Sequence, residues 1–66
     1  MEFAVLRVIE NDYFLIGKYD TLEDAKAAAK EYYESSKERM MVIVIKGNLD
    51  ENNRPVGKYL FYGAWY

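Results

Sequence analysis

Few side chains in this 66-residue chain could act as a nucleophile, a general base or a metal ligand. Histidine and cysteine are both absent, which removes the commonest general base and the thiolate ligand of zinc. Hydroxyls such as those of Ser35 and Ser36 remain, but no base is placed to activate them. The four glycines stand in separate segments and form no phosphate-binding loop. The sequence therefore predicts a protein that is not an enzyme and holds no cofactor.

One polar segment, residues 48–53, is rich in oxygen ligands for a cation. It lacks the alternating acidic spacing and the distant glutamate of a calcium loop. We therefore expect a solvated hairpin loop there and no metal site.

Aromatic residues make up 17% of the chain, and seven of them are tyrosines. Tyrosine supplies contact area at little entropic cost, so this composition is typical of a recognition surface. Aromatic side chains on a sheet can also stack on single-stranded bases, but that use needs a cationic surface. Because the net charge is −2, nucleic-acid binding is retained only as an alternative.

Acidic side chains suggest a second alternative, an inhibitor whose carboxylates imitate the phosphates of DNA. Lysines interleave these acids along the helix, whereas a mimic should be more uniformly negative. The carboxylates concerned are Glu23, Asp24, Glu31, Glu34, Glu38, Asp50 and Glu51.

Thr21 to Glu38 is the segment that most clearly predicts a helix. Thr21 is suited to the N-cap, and Asp24 follows three residues later in a weak form of the capping box. A mostly alanine stripe runs along one face at helical spacing, so the helix should lie close to whatever it covers. The stripe consists of Leu22, Ala25, Ala29, Tyr32 and Ser36.

Four segments predict strands because they are short and rich in β-branched or aromatic residues. They are Phe3 to Ile9, Tyr13 to Tyr19, Met40 to Lys46 and Lys58 to Trp65. Gly47 to Gly57 is polar, contains the only proline, and is expected to be a long hairpin loop.

The element order β-β-α-β-β predicts a single α+β domain over residues 1–66. A right-handed crossover through the helix leaves space for one strand between the second and third strands. The strand order 2-1-3-4 satisfies this constraint, with every neighbouring pair antiparallel and one helix packed on one face.

Charged residues within the strands suggest which face the helix leaves open. If Arg7, Lys18 and Lys46 point away from the helix, alternation places the other set of side chains beneath it. That covered set is Ala4, Leu6, Val8, Leu15, Tyr19, Met41, Ile43 and Ile45. The open face then remains apolar, and it comprises Phe3, Val5, Arg7, Phe14, Ile16, Met40, Val42 and Val44.

An exposed apolar face of that size would exceed what soluble monomers usually tolerate, so a partner should cover it. We therefore expect a non-enzymatic protein-interaction module that forms a homodimer or docks on another protein through this face. In its layout, a very short acidic β-β-α-β-β chain, the protein resembles the small accessory proteins encoded by phages and mobile elements. The longest aliphatic run, Met40 to Ile45, is too short to span a bilayer, and a cytoplasmic protein is expected.

Overall fold

One helix and four strands make up the fold. The computed structural model describes residues 2–37 and 40–66. The elements are β1 (Phe3–Ile9), β2 (Asp12–Tyr19), α1 (Leu22–Ser35), β3 (Met41–Leu49) and β4 (Pro55–Trp65). The strands form one sheet in the order β2-β1-β3-β4, with each neighbouring pair antiparallel. The predicted α+β class, element order and strand order are confirmed.

The helix begins and ends where its polar residues satisfy the terminal backbone groups. Thr21 is extended (φ −121°, ψ 150°), and its Oγ1 accepts a hydrogen bond from the backbone N–H of Asp24 at 3.1 Å. At the other end, the hydroxyl of Ser35 donates to carbonyl oxygens one turn earlier, and Ser36 is extended. The helix therefore ends at Ser35, before the predicted end at Glu38, which itself lies outside the described residues.

The alanine stripe of α1 rests on valines of the two central strands. Ala25 and Ala29 are completely buried against Val5, Val42 and Val44. Side chains this small on both elements let the helix backbone approach the sheet closely. The predicted packing face is therefore confirmed for Leu22, Ala25, Ala29 and Tyr32, whereas Ser36 lies beyond the end of the helix.

The predicted assignment of the sheet faces is wrong. The valines beneath the helix belong to the set expected on the open face, and the set expected beneath the helix lies mainly on the opposite side. Of that expected set, Ala4, Leu6, Val8, Met41, Ile43 and Ile45 belong to the opposite side, whereas Tyr19 packs near the helix.

The error arises because two cations lie on the helix side, beside the narrow alanine stripe. The guanidinium of Arg7 donates to the hydroxyl of Tyr32 at 3.1 Å and lies 4.7 Å from the ring centroid of Phe14. The ammonium of Lys46 lies 5.0 Å from the ring centroid of Phe3. Long cationic side chains can cover apolar surface with their stems while aromatic faces hold their charged ends.

A bulge in β2 adds to the error. Phe14 pairs with Arg7 on the helix side, whereas Lys18 pairs with Ala4 on the other side. The register shift leaves Ile16 as an extra residue, which packs near the helix. Such a bulge breaks simple alternation, so Phe14 and Lys18 do not share a face as expected.

The sheet face opposite the helix is also closed at its centre. Leu6 and Ile45 have no exposed surface, and Leu49 packs against the same cluster. The partial cover by Tyr13 and Met41 comes from the neighbouring strands of the same chain. Each face of the sheet therefore has its own small core.

The β3–β4 hairpin adds Leu49 to this cover by bending back across the sheet. β3 runs from the end of β1 near Val8 to its beginning near Ala4, so a straight hairpin would carry its tip away from the β1–β2 turn. Instead, the Nη2 of Arg54 donates to the carbonyl oxygen of Asn11 in that turn at 2.7 Å. Its guanidinium also lies 5.6 Å from the ring centroid of Tyr13. The sheet is therefore strongly curled.

Gly47 lies in the bent part of the hairpin. The register shifts between Lys46 and Asn48, and a Cβ built on Gly47 would lie 2.6 Å from the Cβ of Tyr59. Cβ atoms in proteins essentially never approach another atom this closely, so the bend requires glycine at this position.

The hairpin loop is shorter than the predicted Gly47 to Gly57. Both strands continue to Leu49 and from Pro55, because bulges accommodate the glycines within the ladder. In the remaining loop, Oδ1 of Asp50 accepts hydrogen bonds from the backbone N–H groups of Asn52 and Arg54.

Candidate interaction surface

Most residues of the predicted open face are unavailable to a partner. Val5, Val42 and Val44 are completely buried. Phe3, Ile16 and Met40 pack against the same cluster beneath the helix, and Arg7 is bonded to a helix residue. Phe14 alone is substantially exposed, at 42%. The structure therefore does not bring these residues together as a free surface.

The acidic residues fall into two separate groups. Glu23, Glu31 and Glu34 are exposed on α1, whereas Asp50 and Glu51 lie at the hairpin tip that bends over the opposite face. Two groups on opposite sides of the sheet cannot line one phosphate-like track. Asp50 also has a local structural role, because its carboxylate orders the loop.

The longest run of exposed large hydrophobic side chains within residues 2–37 and 40–66 lies on β4 and was not among the predicted site residues. Tyr59, Leu60 and Phe61 are consecutive and are 47%, 58% and 57% exposed. We refer to these three residues as the β4 strip. Three successive large apolar side chains with this exposure are unusual, because a strand normally buries at least one of its two faces.

Both sides of the sheet contribute to the β4 strip. Phe61 pairs with Ile45 and so lies on the face opposite the helix, whereas Leu60 pairs with Lys46 on the helix side. Tyr59 shares the face of Phe61 by alternation. Leu60 and Phe61 are each more than half exposed, so the strip is accessible on both sides of the sheet.

β4 is also an edge strand, bonded to β3 on one side only. An edge strand presents unpaired N–H and C=O groups along its outer side, which can pair with another strand. Proteins commonly protect such an edge with charged residues, and Lys58 is the single charge within β4. The β4 strip thus combines exposed apolar side chains with backbone groups suited to strand addition.

The other edge, β2, is better protected. Phe14 and Leu15 are 42% and 40% exposed there, but the Arg7 guanidinium covers the Phe14 ring. Both edge strands contain bulges, but β2 carries the charges of Asp12 and Lys18, whereas β4 carries only that of Lys58. Within the described parts of the chain, neither aromatic ring of the β4 strip makes a comparable contact with a cation or another ring.

The sequence contained the signals needed to find the β4 strip. The order 2-1-3-4 places the last strand at an edge, and residues 59–62 are four consecutive large apolar or aromatic residues. An edge strand with that composition should expose some of them.

Across residues 2–37 and 40–66, no group of three or more acidic side chains could hold a metal ion. Over the same residues, no helix is both long and apolar enough to cross a bilayer.

Comparison with other proteins adds no functional information. The chain matches no protein-family model, no curated protein and no solved structure.

Proposed function

We propose that this chain is a non-enzymatic protein-interaction module that binds its partner through the β4 strip. The observation that carries the proposal is the exposure of Tyr59, Leu60 and Phe61 on an edge strand. Burial of apolar surface and strand addition would act together. The apolar side chains would supply free energy of binding, and the backbone hydrogen bonds would fix the register of the added strand. The proposal retains the cytoplasmic location and the phage-type accessory role expected from the sequence.

Two alternatives receive less support. The separation of the helix acids from Asp50 and Glu51 argues against a DNA mimic, as described above. The aromatic pair Tyr59 and Phe61 could stack on bases, but Lys58 is the single charge on their strand and the protein is acidic. A salt series separates these alternatives from apolar docking, because phosphate binding and its mimicry weaken steeply as salt rises.

Site-specific photocrosslinking in the cells that express the protein tests the proposal. A photoreactive phenylalanine analogue at Phe61 should give crosslinked species of higher mass. The same analogue at Ala27, which is exposed on the outer side of α1, should give few. A third position at Leu15 tests the opposite edge of the sheet.

The masses and positions decide the result. A discrete adduct specific to position 61 supports binding through the β4 strip, whether the partner is a second copy or another protein. Adducts of equal yield at Ala27, or a discrete adduct at Leu15 alone, would show that binding uses another surface.

A further inference from the structure

We propose that the partner of the β4 strip is a second copy of this chain, joined by antiparallel pairing of the two β4 strands. This inference rests on the proposed function and names its partner. Pairing of this kind would join two four-stranded sheets into a continuous eight-stranded sheet. It would also pair backbone groups at the less protected edge of each sheet.

Symmetry restricts the possible registers. A twofold axis normal to the sheet keeps both helices on one side, and directly opposed residues must then share a face. Phe61 and Tyr59 lie on the face opposite the helix, and Leu60 lies on the helix side. Opposed residues must therefore both be of odd number or both of even number within this stretch.

One of the permitted registers suits the side chains best. With Leu60 on the axis, Tyr59 of each chain faces Phe61 of the other, which forms two aromatic cross-strand pairs. Such pairs stabilise antiparallel sheets. In the same register Lys58 faces Tyr62 of the other chain, so the two lysines are not directly opposed. Centring on Tyr59 would instead place each Lys58 opposite Leu60.

The size of the surface indicates a weak or moderate dimer. A standard interface buries about 800 Å² per partner, which would be about a sixth of the 4817 Å² surface of this chain. A standard interface also involves about 20–30 residues per partner, far more than the three residues of the β4 strip. The register of β4 shifts between Val56 and Leu60 and again between Phe61 and Gly63, which also limits the regular pairing to a short segment. Association is therefore expected to depend on concentration in the micromolar range or above.

A charge-swap experiment tests both the partner and the register. Sedimentation equilibrium of the wild-type protein should show a mass that rises with concentration towards twice the 7.8 kDa of one chain. Leu60→Glu and Leu60→Lys should each be monomeric, because like charges would be directly opposed at the axis. An equimolar mixture of the two variants should recover the dimer, since glutamate would then face lysine.

Two controls accompany the swap. Circular dichroism should show that both variants remain folded, because Leu60 is 58% exposed. Leu15→Glu adds a charge at the other sheet edge and should leave the dimer intact. A lysine–glutamate pair at the axis should also make the recovered dimer sensitive to salt.

Four results would overturn the inference. A wild-type protein that is monomeric at every accessible concentration rules out self-pairing, although a discrete crosslink from position 61 to another protein would still support the proposed function. Single variants that remain dimeric place the interface elsewhere, and a mixture that stays monomeric refutes the register. Binding of a labelled oligothymidine by the wild-type protein, tighter for Leu60→Lys than for Leu60→Glu, would assign the strip to nucleic acid.

Discussion

Replacing Gly47 with alanine tests the bend that closes the second face of the sheet. The new Cβ would lie 2.6 Å from the Cβ of Tyr59 and 3.2 Å from its Cα. Neither atom can move by rotation of a side chain, so the paired strands would have to separate. Overpacking of this kind costs about 1–3 kcal/mol. That loss is large against the ~3–10 kcal/mol expected for a domain of this size.

Gly63 provides a matched control in the same hairpin. It also lies in the β3–β4 ladder, opposite Val44, but the nearest atoms to an added Cβ belong to the Trp65 ring at 3.6 and 3.7 Å. These are ordinary contact distances. Gly63→Ala should therefore be neutral, or stabilising by up to ~1 kcal/mol through the unfolded state.

Urea denaturation followed by circular dichroism measures both variants, at one protein concentration because association contributes to apparent stability. The expected result is a lower midpoint for Gly47→Ala with an unchanged slope, and no such loss for Gly63→Ala. Equal midpoints for the two variants would refute the close approach of Gly47 to Tyr59, and with it this explanation of the bend.

Three further predictions concern the helix, its N-cap and its packing on the sheet. Ala29→Leu should lower the free energy of unfolding by about 1–3 kcal/mol because Ala29 is completely buried, whereas Ala27→Leu on the exposed side should be nearly neutral. Equal effects of the two substitutions in a urea titration would contradict the packing face of the helix. Val44→Lys should unfold the protein by burying an unpaired charge, whereas Leu15→Lys, at a position 40% exposed, should remain folded. A Val44→Lys variant that circular dichroism shows to be folded would contradict the assignment of the sheet faces. Thr21→Ala should lower the free energy of unfolding by about 1 kcal/mol and Thr21→Ser by much less, because serine keeps the hydroxyl of the N-cap. A thermal melt in which both substitutions cost the same would argue against the N-cap hydrogen bond.

The sequence predicted the order of the elements well because local signals determine it. Thr21 and the alanine stripe define the helix, and the right-handed crossover limits the strand order. The assignment of the two sheet faces depended on a different assumption, namely that a cationic side chain within a strand points to solvent. Arg7 violates it, since Tyr32 and Phe14 give its guanidinium a place on the helix side.

The closure of the second face could not be predicted from local patterns. It depends on long-range contacts of Arg54 with Asn11 and Tyr13, and on a bend at a glycine that reads in sequence as part of a loop. The expected exposed face was therefore wrong in both position and extent. The β4 strip, in contrast, follows from the strand order together with the composition of the last strand.

An NMR dilution series tests self-pairing through the β4 strip most directly. Backbone amide shifts of Tyr59, Leu60 and Phe61 should change with protein concentration, and hydrogen exchange should slow at those of the three amides that point away from β3. Amides on the outer side of α1, such as that of Ala27, should show neither effect. Shifts that do not depend on concentration, or changes centred on α1, would contradict the pairing of β4 with a second copy of the chain.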